Sequence, residues 1–315
     1  MKIDLTTRIK GLKLKNPVTV ASGTFGTTDE YAAYVDPKKL GAIITKTITV
    51  KPRAGNPMPR ICETSSGMLN AIGLQNKGLE DFVEHKIPYF KKLGVPLIVS
   101  IAGESAEEFG RLAKTFDGLK SIVKAIEVNL SCPNVEAAGV GGMKKQERIT
   151  DAVKAVRDQT DLIAFAKISP ELGDVLEIAG KVLGQGMDGI SVINTLRGMA
   201  VDLKTRGSRI AKDFGGLSGP AIKPVALRYV YQVKKEFRVP VIASGGISNA
   251  QDALEFLIVG ADLLAIGTAN FVEPQATLEI LKGIEEFCRK EQIKSLNDLR
   301  GSYKPAGEKG EGCNR

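Results

Sequence analysis

Only one histidine, no tryptophan and four cysteines occur in this chain of 315 residues. The shortage of histidine excludes the most: a Ser-His-Asp triad, a multi-histidine zinc site or a histidine proton relay would each have to be built around His85. The segment Glu80-Asp81-Phe82-Val83-Glu84-His85-Lys86 reads as the solvated face of a helix, so acid–base chemistry has to use Cys, Lys, Asp, Glu, Tyr or water. Cys62, Cys132, Cys288 and Cys313 show neither CxxC spacing nor a disulfide framework. No run approaches the roughly 18 consecutive apolar residues of a membrane span. Met1-Lys2-Ile3-Asp4-Leu5 lacks the apolar core of a signal peptide, so a reducing cytoplasm is expected.

What is present is an ordinary globular composition, 43% hydrophobic and 25% charged, with a net charge of +8. That sign suits an anionic ligand, an acidic partner or nucleic acid. The positive residues are scattered, however, with clusters no larger than pairs such as Lys38-Lys39 and Lys234-Lys235. No basic tail or aromatic-studded basic stretch accompanies them, and a solvated surface with no nucleic-acid partner is expected.

The length fits two ordinary domains or one α/β barrel. Short apolar, β-branched runs recur at Pro17–Ala21, Ala42–Lys46, Pro96–Ile101, Ala125–Leu130, Leu162–Lys167, Gly189–Ile193, Val239–Ser244 and Asp262–Ile266. Each is nearly continuous in hydrophobicity, as strands covered on both faces are. Helical patterns lie between them near 28–35, 76–93, 105–116, 147–158, 171–184, 221–236 and 249–258, with another at 274–290. Eight strands alternating with helices predict a (β/α)8 barrel in preference to a doubly wound sheet. Leu5–Lys15, turning at Gly11, predicts a hairpin that closes one end of the barrel. Residues 1–300 read as one domain and 301–315 as a disordered tail. Three long connections, 47–75, 131–146 and 195–220, follow the second, fourth and sixth strands, on the face where barrels place active sites.

Chemistry concentrates at those strand ends. In Asn129-Leu130-Ser131-Cys132-Pro133-Asn134 a thiol follows the fourth strand. It is a structural cysteine of a turn or, with histidine unavailable, a thiolate proton acceptor that nearby positive charge would activate. Lys46 and Lys167 each end an apolar run, as Schiff-base nucleophile, anion clamp or partner of an electron-rich ring. Asn70, Asn129, Asn134 and Asn194 lie at strand ends or in long loops. Singly each suits a turn, whereas together their paired donors and acceptors suit a flat heterocycle that alternates N–H and C=O. The last two strands end in Ser244-Gly245-Gly246-Ile247 and Gly267-Thr268-Ala269, positions at which barrels bind phosphate through backbone N–H groups.

These features together resemble the dihydroorotate dehydrogenases, specifically the FMN-binding catalytic chain of their class 1 branch. The resemblance extends to about Leu299. It is carried by Asn70-Ala71-Ile72-Gly73-Leu74-Gln75-Asn76, the Asn129–Asn134 segment, Ser244–Ile247 and Ile266-Gly267-Thr268-Ala269-Asn270. It implies that Cys132 is the catalytic base and that Lys46, Asn70, Asn129, Asn134, Asn194 and Thr195 contact the substrate. The backbone at Gly73 and Leu74 would receive the substrate carboxylate. For FMN it implicates Ala21, Ser22, Lys46, Thr47, Ser100, Asn129, Lys167, Ile193 and Gly219, with Gly245, Gly246, Gly267 and Thr268 at the phosphate. No metal site is implied.

The implied reaction oxidises (S)-dihydroorotate to orotate in pyrimidine biosynthesis. Cys132 takes the C5 proton, a hydride passes from C6 to FMN, and residues 133–146 act as the lid. Membrane-bound relatives use serine as the base and carry an N-terminal extension, so Cys132 and a barrel beginning near Met1 argue against quinone. Glu63–Gln75 and Gly267–Pro274 are closer to the NAD-linked branch than to the fumarate-linked homodimers, which are the alternative. NAD-linkage implies a separate subunit with FAD and a 2Fe-2S cluster, around a homodimeric core within a heterotetramer. Four dispersed cysteines and the lack of a dinucleotide fingerprint in this chain agree with that division. Other flavin barrels pairing FMN with cysteine, the dihydropyrimidine dehydrogenases and tRNA dihydrouridine synthases, compete, as do a lysine-dependent aldolase and a non-catalytic binding barrel.

Overall fold

The computed structural model describes residues 2–26, 29–130 and 145–306. A two-stranded hairpin opens the fold, β1 (Thr7–Ile9) against β2 (Leu12–Leu14). Its two-residue turn, Lys10-Gly11, has both φ angles positive, at 46° and 85°, the geometry that lets twisted strands reverse tightly.

The barrel strands follow as β3 (Val18–Val20), β4 (Ile43–Ile44), β7 (Leu97–Ile101), β8 (Val123–Asn129), β9 (Ile163–Ile168), β10 (Gly189–Val192), β13 (Val241–Ser244) and β14 (Leu263–Ile266). They pair in parallel in the order β3-β14-β13-β10-β9-β8-β7-β4. The ring closes where the Gly41 N–H donates to the Val18 carbonyl at 2.9 Å. The (β/α)8 barrel is therefore as the sequence predicts.

β4 is shorter than the apolar run that marks it. Thr45 N–H still donates to the Ile98 carbonyl, but the Thr45 hydroxyl accepts the Ser100 N–H at 3.1 Å, so a side chain replaces one rung of the ladder. Among the described residues the expected helix near 28–35 is absent. One 3-10 turn, Asp29–Tyr31, lies within that stretch and a second, Pro37–Lys39, follows it, with Pro37 holding Asp36 in extended backbone between them. The later helices run at Gly78–Asp81 with Ile87–Leu93, Ala106–Asp117, Lys145–Arg157, Val175–Gly184, Lys223–Phe237, Ala250–Ile258 and Ala276–Lys290. Ser105, Asp174 and Asn249 cap three of them, each side-chain oxygen accepting the N–H three residues on.

Two apolar layers result. Outward residues such as Val20, Val99, Val128, Ile168 and Val192 pack beneath Phe109, Phe116, Val153, Val182, Val230 and Phe256 of the helices. Inward residues Ala42, Ile44, Ile98, Ala125, Phe165, Ile242, Leu263 and Ala265 form a separate cluster with Ile9 and Leu14 of the hairpin. The hairpin thus plugs the N-terminal end.

The connections 47–75 and 195–220, read from sequence as loops, hold a second sheet of four antiparallel strands. Its order is β11 (Leu196–Gly198), β12 (Gly215–Ser218), β6 (Gly67–Asn70) and β5 (Ile61–Thr64). These strands are three or four residues long, and β6, β11 and β12 contain glycine, so their pairing, with the distant β12–β6 contact joining two local hairpins, makes them strands. At the other end of the chain, Gly301 and Tyr303 donate N–H bonds to the Leu257 and Ile258 carbonyls. Residues 307–315 lie outside the described residues.

Candidate active site

A two-residue period along each strand separates the faces of the barrel. Counting on by two from the inner apolar cluster toward the C-terminal strand ends reaches Lys46 from Ile44, Ser100 from Ile98, and Glu127 then Asn129 from Ala125. It reaches Lys167 from Phe165, Ser244 from Ile242 and Gly267 from Ala265. Ala21 belongs to the inner cluster itself. Strand alternation alone therefore turns one plugged, apolar end into a polar floor at the other.

Hydrogen bonds tie this floor together. Thr47 Oγ1 and Ser100 Oγ lie 3.0 Å apart, and Asn129 Nδ2 donates to Thr47 Oγ1 at 3.3 Å. Asn194 Nδ2 donates to Asn129 Oδ1 at 3.3 Å, while Asn194 Oδ1 accepts the Thr195 N–H at 2.9 Å. Five residues singled out from sequence are thus one chain of amides and hydroxyls. Asn70 comes to the same place from the second sheet. Its Nδ2 donates to the Gly216 carbonyl, and a methyl at Gly216 would lie 2.3 Å from Thr195 Oγ1.

The buried Lys167 ammonium donates to Ser22 Oγ at 3.1 Å and stands 3.6 Å from Glu127 Oε1. Lys46 is half-buried at the rim. Burial pushes its ammonium below the usual lysine range, Glu30 opposes that, and Arg60 adds to it. Two lysines in one strand-end ring make this an anion-favouring mouth.

A glycine corner forms the opposite side. Gly219 has φ 93°, and a methyl there would sit 2.7 Å from Gly67 Cα and 3.6 Å from Thr268 Cγ2. Thr268 Oγ1 donates to Ser218 Oγ at 2.8 Å. A methyl on Gly245 would meet Ala226 Cβ at 2.9 Å and Ile193 Cγ1 at 3.4 Å, and one on Gly246 the Lys223 backbone nitrogen at 2.7 Å. Only glycine fits at these packed strand ends, which keeps side chains out of the corner. Gly267 is looser, its nearest neighbour being Ala21 Cβ at 3.5 Å.

Gly73 lies against Asn56, and Leu74 has φ 55° with its carbonyl accepting from Asn76 Nδ2 at 2.8 Å. Cys132, Asn134 and residues 133–144 of the expected lid at 133–146 lie outside the described residues, and 145–146 open the helix Lys145–Arg157. His85 is exposed, its Nδ1 3.2 Å from the Asp81 carbonyl oxygen and remote in role from this floor. Sequence reasoning missed Glu127, Ser191 and Ser218. The signal for Glu127 was available, since a carboxylate inside the run Val123–Asn129 has to find a partner.

A parallel barrel with a lysine- and amide-lined mouth beside a glycine corner fits the class of oxidoreductases that hold FMN at the strand ends. Residues 4–288 match the family described as dihydroorotate dehydrogenase. The chain is 49% identical over 302 residues to the "dihydroorotate dehydrogenase B (NAD(+)), catalytic subunit" of Desulforamulus reducens, covering 96% of this chain and 99% of that one. Proteins of the same name from Geotalea daltonii and Desulforudis audaxviator are each 46% identical, covering 96% and 98% of this chain and 99% and 100% of theirs. The chain belongs to the dihydroorotate dehydrogenase family.

Proposed function

We propose that this chain oxidises dihydroorotate to orotate in cytoplasmic pyrimidine synthesis, with FMN bound at the barrel mouth and NAD as the final acceptor. The observation that carries the reading is the continuous Ser100–Thr47–Asn129–Asn194–Thr195 network beside the Lys167 ammonium. It offers fixed amide donors and acceptors to a planar pyrimidine ring and a cation to an electron-rich flavin. FMN, when bound, supplies the hydride acceptor. The residues suit it, because Gly219, Gly245 and Gly246 leave backbone where any side chain would clash, and Lys167 projects a buried charge into the mouth.

In this reading Gly245, Gly246, Gly267 and Thr268 hold the phosphate. Ala21, Ser22, Thr47, Ser100, Ile193 and Gly219 flank the rest of the cofactor. Asn70, Asn129, Asn134, Asn194, Thr195 and Lys46 orient the substrate, whose carboxylate meets the backbone at Gly73 and Leu74. Cys132, as thiolate, removes the C5 proton while the C6 hydride leaves, and 133–146 excludes water. Electrons then pass to a partner subunit with FAD and a 2Fe-2S cluster. The name shared by the relatives, an NAD(+) enzyme's catalytic subunit, supports a division of labour of this kind.

The test is stopped-flow reduction of the flavin by dihydroorotate. Cys132→Ala should keep its FMN and lose roughly 10²- to 10⁴-fold in the rate of flavin bleaching, the usual worth of a positioned base. Bleaching of that variant at the wild-type rate contradicts the role given to Cys132.

A further inference from the structure

The eight barrel strands carry three ionisable side chains among the described residues: Lys124, Glu127 and Lys167. Lys124 is spent at the N-terminal end, where its ammonium donates to the Lys120 and Ser121 carbonyls. Glu127 and Lys167 are therefore the only such pair within the strands. Glu127 is 0% exposed. Its Oε2 accepts from Ser191 Oγ at 2.8 Å, whereas Oε1 accepts no hydrogen bond and stands 3.6 Å from Lys167 Nζ.

That distance exceeds the 2.7–2.9 Å of a hydrogen-bonded ion pair. The carboxylate compensates the charge of Lys167 without occupying one of its N–H groups. One N–H goes to Ser22, which leaves donors for a ligand. A carboxylate buried with one neutral donor needs a cation, and an ammonium equally buried needs an anion.

We propose that Glu127 is a positioning residue, the counter-ion that keeps Lys167 protonated before the flavin is reduced as well as after. This rests on FMN being the cofactor of the mouth. A hydride brings two electrons and one proton and leaves one negative charge on the flavin. With Lys167 already an ammonium, reduction draws in no further proton. Without Glu127, Lys167 would be an unpaired buried cation, shed its proton while the flavin is neutral, and regain it on reduction. Two protons would then enter per two electrons, one of them at Lys167 Nζ.

Few other charges face this pair. β7 and β10, on either side of β8 and β9, contribute only the hydroxyls of Ser100 and Ser191, and β3, β4, β13 and β14 contain no ionisable side chain. At the same end of the barrel stand Lys46, with Glu30 and Arg60 acting on it, Lys223, held by Asp252 and Glu255, and Glu104, paired with Arg53. Glu171, after β9, accepts from the Arg197 N–H instead. Asp188, at the start of β10, is occupied at the opposite end by Arg157 and Lys10.

The experiment is the pH dependence of the FMN midpoint potential in the full chain, followed by its visible spectrum at equilibrium with redox dyes. Wild type should take up one proton per two electrons, about 30 mV per pH unit around neutrality. Glu127→Gln, which keeps an acceptor for Ser191, should double the proton count to two, about 59 mV per pH unit. Glu127→Asp should restore one. Equal slopes for wild type and Glu127→Gln, both flavin-loaded, overturn the inference while leaving the FMN reading intact; protein that binds no flavin overturns the FMN reading instead. Should Glu127→Gln not accumulate, wild type decides by NMR of ¹⁵N-lysine-labelled oxidised holoprotein. A buried ammonium signal missing from Lys167→Met supports the role of Glu127, and a neutral amine there contradicts it.

Discussion

Lys46 and Lys167 solve the same problem, a cation at the end of an apolar strand, in different ways. Lys167 has a buried counter-ion 3.6 Å away, whereas Lys46 pays for its position with a depressed affinity for its proton. The linkage has a definite sign. Between the lowered folded value and the ordinary lysine value near 10.5, the unfolded chain binds more protons, so stability rises with pH through that window. Lys46→Met should therefore raise the melting temperature of the ligand-free protein at neutral pH, by an amount that shrinks as pH approaches 10.5. A gain independent of pH would mean that packing, not desolvation, is responsible. Lys167→Met strands the Glu127 carboxylate and should cost about 3–5 kcal/mol in denaturant unfolding. The double variant Lys167→Met/Glu127→Gln should recover much of that loss, because neither buried charge then remains. Both lysines were legible in the sequence as polar residues closing apolar runs. For Glu127 the sequence signals only that a carboxylate inside an apolar run needs a partner; which partners was not legible, because they come from the adjacent strand and the one beyond, through Lys167 and Ser191.

Among the elements, the barrel strands announce themselves by continuous hydrophobicity, but the sheet over the mouth does not. β11 and β12 read Leu-Arg-Gly and Gly-Gly-Leu-Ser, without a pattern that distinguishes strand from loop. Their order comes from β6, roughly 150 residues earlier in the chain, through pairs such as Leu217 with Leu69. Leu69 is fully buried there. The junction of this sheet with the glycine corner depends on Gly67 against Gly219. A methyl on Gly67 would lie 2.0 Å from the Ser218 oxygen, and Gly219 has φ 93°. Gly219→Ala should cost more than about 1 kcal/mol, since it combines a positive φ with a backbone clash. It should also lower the FMN content of the purified protein, read as the ratio of flavin to protein absorbance. Unchanged flavin content with a lowered melting temperature would confine Gly219 to a structural role.

For the whole molecule, the sparse histidine and cysteine become statements about where protons and electrons go. With His85 exposed beside Asp81, the proton acceptor has to be sought elsewhere, and Cys132 stands two residues after the buried Leu130. Among the described residues no group of His, Cys, Asp and Glu is placed to hold a metal ion, and no helix is long and apolar enough to cross a membrane. The net charge of +8 suits a phosphate, an anionic substrate or an acidic partner surface. The chain alone should accordingly pass electrons from dihydroorotate to its flavin but form NADH only when the FAD and iron–sulfur subunit is added. Efficient reduction of fumarate by the isolated chain would place it in the fumarate-linked branch instead. The most direct measurement is the visible spectrum of the purified chain, titrated with dihydroorotate in the absence of oxygen. A flavin spectrum that bleaches in proportion to the substrate added, with orotate formed in equal amount, is the predicted result. A colourless protein, or a flavin that dihydroorotate leaves oxidised, contradicts it.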